Sequence, residues 1–295
     1  MPLKLENASK RVGNRWYYRD VTLEAVDGEV FAVYGPNGSG KGELIRSFED
    51  VEYVTDPGMT IFGRRLGRKP ESTIDRSNRL ITAIATSTRS LVLDEPFRGL
   101  DDGSIEVLAS KMKEAAGERN IPVLFSTSNF SHVLLAAHRA LVIADGQVHQ
   151  IGTPQALYDE PENRTTARLT GRNNLIEARR LTSSKSELPE FITIRGEHRL
   201  FTQKVELRTL GAINKNSFLA IRPEQISLSF GASFPEDNLL RAVISGIHFQ
   251  GATTVVSLTC GDLALEALVM RLVGLNVGDE CMVGLPPDRI RVLAA

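Results

Sequence analysis

The alternation of apolar and polar positions divides the chain into two regions, and the change falls near residues 165–175. In the first region, short apolar runs typical of buried strands alternate with segments whose apolar residues recur at helical spacing. Ile105, Leu108, Met112 and Ala116 show that spacing, with charged residues between them. Strands that alternate with helices predict an α/β domain with a mainly parallel sheet covered by helices.

After about residue 172 the helical period is lost, and short apolar segments such as FITIRG, LLRAVISGI and TTVVSLTCGD are separated by turns. Several short strands at regular spacing predict a small all-β barrel or sandwich. The polar stretch ENRTTARLTGRNN separates the two regions. We therefore predict a first domain over residues 1–170 and a second over residues 171–295.

Composition narrows the function classes. A net charge of -1 over 295 residues gives no electrostatic reason to expect a nucleic acid or a membrane surface as partner. No apolar run approaches the roughly 18 residues of a membrane-spanning helix, and the first residues lack the apolar core of a signal peptide. The chain is therefore expected to be soluble and cytoplasmic. Cys260 and Cys281 are interpreted as buried hydrophobic residues, and the five histidines lack metal-ligand spacing, so no metal is assigned to them.

The segment Gly35–Lys41, reading GPNGSGK, follows the apolar run Val30–Tyr34 and precedes GELIRSFED, which predicts a short helix. Strand, glycine-rich loop and helix form the context of a phosphate-binding loop (P-loop), in which small residues let backbone N–H groups surround phosphate oxygens. Lys41 then reaches the outer phosphates as a point charge. The residues predicted to contact the nucleotide are Gly35, Pro36, Asn37, Gly38, Ser39, Gly40, Lys41, Gly42 and Glu43.

A second element is the apolar strand Leu91–Leu93, which ends in the acidic pair Asp94 and Glu95. Behind a phosphate-binding loop, such a pair positions one carboxylate near a magnesium ion and the other near the attacking water. The two elements together predict a nucleotide site with candidate hydrolytic residues.

The chain resembles the ATP-binding subunits of ABC transporters over nearly its whole length. The resemblance is carried by the segments GPNGSGK, MTIFGRRL, LVLDEPFRGLD and ALVIADGQVHQIGTPQALYDEP. LAIRPEQISLS and NVGDECMVGL resemble the small β-rich, OB-like TOBE domain of importer-type subunits. The resemblance implies ATP and magnesium as cofactors, with Asp94 at the metal, Glu95 as general base and Asp101 at the dimer contact. The run Arg172–Ile176 with IRPEQ most resembles importers of molybdate, tungstate, sulfate or sugars.

The resemblance also implies partners. These are ABC permease subunits and a second ATP-binding subunit, in a homodimer or a heterodimer. The subunit would reach the membrane only through the permease, at the inner face.

Several positions depart from that family. Gly42 and Glu43 follow Lys41 where the family has a Ser or Thr whose hydroxyl binds magnesium, so we expect weakened magnesium binding. Val12 stands near the position of the aromatic residue that stacks on adenine, and Ser128 at that of the histidine that contacts the outer phosphate.

Substitutes for these two side chains are available nearby in sequence. Trp16, Tyr17 and Tyr18 lie close enough to replace the missing aromatic residue, although packing within the strands is an alternative role for them. His132 follows Ser128 by four residues and is expected to face elsewhere.

The stretch between Lys41 and Asp94 is far shorter than in the family, which predicts that most of the helical subdomain is missing. It contains no glutamine, so the Q-loop glutamine is absent. The place of the signature LSGGQ, near Pro70–Ile74, reads PESTI and offers no glycine for backbone approach to a phosphate.

Three hypotheses follow. The first is an ATP-binding subunit of an ABC-type importer that binds nucleotide but hydrolyses it slowly or not at all. The second is a non-catalytic regulatory or scaffold subunit that pairs with transporter components. The third is an active but unusual ATPase in which Glu43 or another residue restores the metal site.

Overall fold

The computed structural model describes residues 2–48, 52–54, 60–61, 64–65, 73–87, 90–182, 188–203, 212–229, 238–270 and 274–293, with backbone alone at 52–54, 60–61, 64–65 and 73–75. The chain forms two compact units, Met1–Asp159 and Glu160–Ala295. The first unit ends before the boundary predicted at residue 170. Helix α6 (Arg164–Leu169) lies in the second unit, where its Ala167 packs with apolar residues of two strands.

The first unit mixes strands and helices. In chain order, its elements are β1 (Leu3–Val12), β2 (Arg15–Ala25), β3 (Val30–Tyr34), α1 (Lys41–Ile45), β4 (Glu52–Val54), β5 (Thr60–Ile61), β6 (Arg64–Arg65), α2 (Thr73–Thr86), β7 (Leu91–Leu93), α3 (Asp102–Arg119), β8 (Val123–Thr127), α4 (Phe130–Ala136), β9 (Arg139–Ala144), β10 (Gln147–Gly152) and α5 (Pro154–Asp159).

Its central sheet has the strand order β10-β9-β3-β8-β7-β4. The β9–β10 pair is antiparallel, and the other neighbouring pairs are parallel. All residues of β3, β7 and β8 are buried, as expected for parallel strands covered on both faces, which read as continuous apolar runs. The predicted α/β architecture with a mainly parallel sheet is confirmed.

The two smaller sheets of this unit are antiparallel hairpins. β1 pairs with β2, and the register shifts three times along them. β5 pairs with β6.

Helices follow the apolar spacing with one difference in length. Leu108, Met112 and Ala116 are fully buried on α3, as predicted. The helix after the glycine loop is shorter than GELIRSFED indicates, because α1 ends at Ile45. There the Ser47 hydroxyl donates to the carbonyl of Glu43 at 2.8 Å, and a side chain bonded to a helix carbonyl competes with continuation of the helix.

Beyond α6, the second unit contains strands and two short 3-10 turns, Pro223–Gln225 and Pro287–Arg289. The strands are β11 (Asn174–Arg180), β12 (Glu190–Thr193), β13 (Arg199–Phe201), β14 (Asn216–Ile221), β15 (Ser227–Ser229), β16 (Asn238–Phe249), β17 (Thr254–Cys260), β18 (Leu263–Val269), β19 (Glu280–Leu285) and β20 (Arg291–Leu293). They form two five-stranded antiparallel sheets, in the orders β13-β12-β11-β14-β20 and β15-β19-β16-β17-β18. The predicted all-β second region is confirmed.

Alternating burial along β16 and β18 places one face of their sheet in an apolar core, the pattern of an antiparallel sheet with one covered face. Cys260 and Cys281 are free and buried in this core. Burial raises the pKa of the Cys260 thiol to about 11, so the thiol stays protonated and packs as a small hydrophobic residue.

The helices in the described ranges include none that is long and apolar enough to cross a membrane.

Candidate nucleotide-binding site

The glycine-rich loop follows the buried strand β3 and packs tightly against its surroundings. The Gly35 N–H donates to the Thr127 carbonyl at 3.2 Å. A side chain at Gly35 would collide with the carbonyl oxygen of Ile143, and one at Gly40 with that of Tyr17. Gly40 also has a φ of 98°, in the left-handed region that glycine adopts without steric cost. These contacts explain why glycine stands at both positions.

Lys41 is held against the loop and against the acidic pair. It is only 6% exposed, its Nζ donates to the Pro36 carbonyl at 3.3 Å, and the same atom lies 3.1 Å from Glu95 Oε1. Its charge therefore lies where the loop and the end of β7 meet. Ser39 Oγ is buried and has no hydrogen-bond partner among the described residues.

Asp94 and Glu95 follow β7 directly, as the sequence predicts, and a buried serine of the next strand joins them. Ser126 Oγ donates to Asp94 Oδ1 at 2.6 Å and accepts from the Glu95 N–H at 2.9 Å. Glu95 has a φ of 50°, a conformation that is uncommon outside glycine and recurs at functional sites. Ser126 thus holds the carboxylate of Asp94 and the backbone of Glu95.

Beside Lys41, the guanidinium of Arg46 lies next to Gly42, which has no side chain. Arg46 Nη1 lies 3.4 Å from Asp94 Oδ2, and its Nη2 donates to Glu43 Oε1 at 3.1 Å. Lys10 Nζ donates to the other oxygen of Glu43 at 2.7 Å. The pKa of Glu43 is held below its ordinary value, first by the hydrogen bond from Lys10 and then by the charge of Arg46.

These residues do not fit the magnesium ion that the resemblance implies. A side chain at position 42 would begin 3.6 Å from Asp94 Oδ2 and 3.1 Å from Arg46 Nη2, so the guanidinium lies in the space that a hydroxyl and its ion would need. Glu43 is paired with two cations. Among the described residues, no group of three or more His, Cys, Asp or Glu is placed to hold a metal ion.

Loop, acids and guanidinium line one pocket together with two residues of β2. The lining residues are Arg15, Tyr17, Gly38, Gly40, Lys41, Gly42, Glu43, Arg46, Asp94 and Glu95.

Of the three aromatic residues considered for the adenine contact, only Tyr17 lines this pocket, and the Arg15 guanidinium lies 5.4 Å from its ring centroid. Tyr18 is buried, with its hydroxyl 2.5 Å from Ser47 Oγ. Trp16 lies between the guanidinium groups of Arg11 and Arg19, outside the pocket lining.

His132 lies outside the lining of the nucleotide pocket. His132 is in the first turn of α4. Its ring lies against Phe97 at a tilt of 43°, with centroids 4.7 Å apart, and Thr127 Oγ1 lies 2.9 Å from its Nδ1. Burial lowers its pKa, and the nearby charge of Glu95 opposes that shift. Ser128 is exposed.

Asp101, the predicted dimer contact, caps helix α3 in the single chain. Its Oδ1 accepts from the Ser104 N–H at 2.9 Å and its Oδ2 from the Ser104 hydroxyl at 3.1 Å. The bond from the Ser104 backbone holds the pKa of Asp101 below its usual value. The side chains of the predicted signature segment, Pro70–Ile74, lie outside the described residues.

Two residues of the site were missed in the sequence. Arg46 follows Gly42 by four positions, which is the spacing of neighbours on one helix face, so its approach was readable from the pattern. Ser126 is a serine within a buried strand, and only the pairing of β7 with β8 places it beside the acidic pair.

Comparison with known proteins shows what the chain is similar to. The TOBE domain family matches residues 219–293. The spermidine/putrescine import ATP-binding protein PotA of Spiroplasma citri is 23% identical over 312 residues, covering 84% of this chain and 87% of the relative. The molybdate/tungstate import ATP-binding protein WtpC of Pyrococcus horikoshii is 22% identical over 364 residues, covering 98% and 99%. The chain is thus similar to ATP-binding subunits of ABC importers.

This chain differs in length from the relatives it matches. The alignment with the Spiroplasma protein runs over 312 positions but covers only 84% of a 295-residue chain. The relative therefore has segments without a counterpart here. Among solved structures, a nucleotide-free ATP-binding cassette from an ABC transporter matches with 17% identity and a TM-score of 0.39, covering 52% of this chain and 92% of that one.

Proposed function

We propose that this chain is an importer ATP-binding subunit that binds ATP through the Gly35–Lys41 loop but hydrolyses it slowly or not at all. One observation carries the proposal: the loop lysine and both acids converge on one pocket, whereas Gly42 contributes no hydroxyl and a guanidinium lies beside it. Binding and hydrolysis are therefore separate properties of this site.

The binding half rests on Lys41 and the loop. Lys41 is nearly buried, so its charge is screened less than that of a surface lysine. In the pocket it can exchange its contact with Glu95 for one with a phosphate oxygen. Tyr17, which also lines the pocket, supplies an aromatic surface for the base in place of Val12, which is 57% exposed and outside the pocket lining.

The hydrolysis half rests on what surrounds the acids. Asp94, the metal candidate, lies beside the Arg46 guanidinium, and Gly42 has no hydroxyl to offer a metal ion. The short stretch between Lys41 and Asp94 supports a shortened helical subdomain there. We further propose that the partners are an ABC permease and a second ATP-binding subunit, with Asp101 at the contact between subunits.

The proposal is tested by titrating mant-ATP into the wild type, Lys41→Ala and the control Lys111→Ala. Lys111 is a partly exposed lysine on α3, and its side chain is paired with Glu114. Loss of a charged hydrogen-bond donor is worth about 1.5–3 kcal/mol, so Lys41→Ala should bind about tenfold to a hundredfold more weakly. Lys111→Ala should bind like the wild type. Equal binding by all three proteins would refute the binding half.

Hydrolysis is measured as phosphate release by the wild type and Glu95→Gln at saturating ATP. We expect the two rates to be close, because the wild-type site is already impaired. A wild-type rate that falls by two or more orders of magnitude in Glu95→Gln would establish the third hypothesis, an active ATPase. Binding that does not depend on Lys41, without turnover, would leave the regulatory or scaffold role.

A further inference from the structure

The Arg46 side chain occupies a position that a phosphate-binding site ordinarily reserves for a metal. Its Nη1 lies 3.4 Å from Asp94 Oδ2, and its Nη2 lies 3.1 Å from the point where a side chain at Gly42 would begin. The guanidinium is thus between the acid after β7 and the first turn of α1. A divalent ion bound there would have to push the Arg46 guanidinium aside, and the two positive charges would still be close together.

Charge in the pocket explains why Arg46 is available to a ligand. The lining includes three cations, Arg15, Lys41 and Arg46, and an equal number of carboxylates. Glu43 is shared, since Lys10 bonds one of its oxygens at 2.7 Å and Arg46 the other at 3.1 Å. The charge of Arg46 is therefore only partly compensated by its neighbours.

Geometry permits the contact as well. The Arg46 side chain is 49% exposed, and a guanidinium has five N–H donors in a planar fork that matches phosphate oxygens. Two carboxylate contacts leave donors free for a ligand on the solvent side, where Lys41 and the loop also face the pocket.

We infer that Arg46 supplies the positive charge that a metal would otherwise bring to the outer phosphates, so that this site binds a nucleoside triphosphate without magnesium. The inference rests on the proposed function, because it concerns the same nucleotide. It adds that binding is independent of divalent cations and names the residue responsible. It also accounts for Gly42, since any larger side chain would push the guanidinium aside.

The test is titration of mant-ATP in excess magnesium and again in excess EDTA. Wild type should bind with the same affinity in both. Arg46→Gln should bind about tenfold to a hundredfold more weakly in EDTA, the loss expected for a charge-assisted hydrogen bond. Arg195→Gln, an exposed arginine of the second unit, is the matched control and should bind like the wild type.

The double variant Gly42→Ser with Arg46→Ala restores a hydroxyl and removes the guanidinium. It should bind more tightly in magnesium than in EDTA. Position 42 accepts a side chain, because its nearest neighbour is the flexible end of Arg46, 3.1 Å away. Circular dichroism melts of all variants confirm that each is folded.

The outcomes separate the inference from the proposed function. Lys41-dependent binding that requires magnesium in the wild type would overturn the inference and leave the proposed function standing. Magnesium-independent binding that Arg46→Gln leaves unchanged would overturn the role of Arg46. If no Lys41-dependent binding occurs under either condition, both fall.

Discussion

Replacing Ser126 with alanine removes the hydroxyl that joins Asp94 to the backbone of Glu95. Ser126 is fully buried, its Oγ donates to Asp94 Oδ1 at 2.6 Å and it accepts from the Glu95 N–H at 2.9 Å. Ser126→Ala therefore leaves a charged acceptor and a backbone donor without their partner, in a segment where Glu95 already has a left-handed φ.

The magnitude follows from these two bonds. A buried donor left unsatisfied costs about 1–3 kcal/mol, and a hydrogen bond to a charged group contributes about 1.5–3 kcal/mol. The Asp94 side chain is 15% exposed, so water replaces part of the second contribution. We expect Ser126→Ala to lower the free energy of unfolding by about 2–4 kcal/mol.

The assay is urea unfolding followed by tryptophan fluorescence. The single tryptophan, Trp16, lies in the first unit, so its signal reports that unit and not the second. Ser128→Ala is the matched control, because Ser128 is exposed and two residues away. A loss below about 0.5 kcal/mol in Ser126→Ala, the range of ordinary surface substitutions, would refute the reasoning.

Three further predictions concern other parts of the molecule. Gly40→Ala should abolish mant-ATP binding and lower the melting temperature sharply, because its side chain collides with the backbone. Gly38 has a φ of 82° and open space around it, so Gly38→Ala should lower the free energy of unfolding by only about 1–2 kcal/mol. Similar losses of stability in both variants would contradict the tight packing of the loop. Burial lowers the pKa of His132 below its unfolded value of 6.5, so its neutral form stabilises the fold above pH 6.5 and that contribution is lost as pH falls through the folded pKa. The free energy of unfolding should therefore change less between pH 7 and pH 5 in His132→Gln than in the wild type, and an equal change in both would contradict the prediction. In the second unit, Arg222 is 3% exposed and donates two hydrogen bonds of 2.9 Å to neighbouring oxygens; Arg222→Met should lower the melting temperature measured by circular dichroism, by the equivalent of about 2–4 kcal/mol, and an unchanged melt would refute that role.

Much of the architecture was predictable because local patterns agreed with the global fold. The fully buried strand β3 is an uninterrupted apolar run, and the loop after it has the glycines that its close contacts demand. The helix α3 follows from its apolar spacing. In each case the pattern lies within one short segment of sequence, so the element could be predicted without knowing which distant segments pair with it.

The remaining features depend on pairings that one sequence does not specify. Ser126 reaches the acids only because β8 lies beside β7. His132 lies against Phe97 because α4 begins at Phe130 and places His132 in its first turn. The early end of α1 depends on a side-chain hydrogen bond of Ser47. Each is decided by contacts between segments, which local propensity does not encode.

The central claim is that this site retains ATP without cleaving it. The most direct measurement is to incubate the wild type with ATP, remove free nucleotide by rapid gel filtration and identify what remains bound by chromatography. The account predicts intact ATP on the wild type and none on Lys41→Ala. Bound ADP with released phosphate, or no retained nucleotide on the wild type, would contradict it.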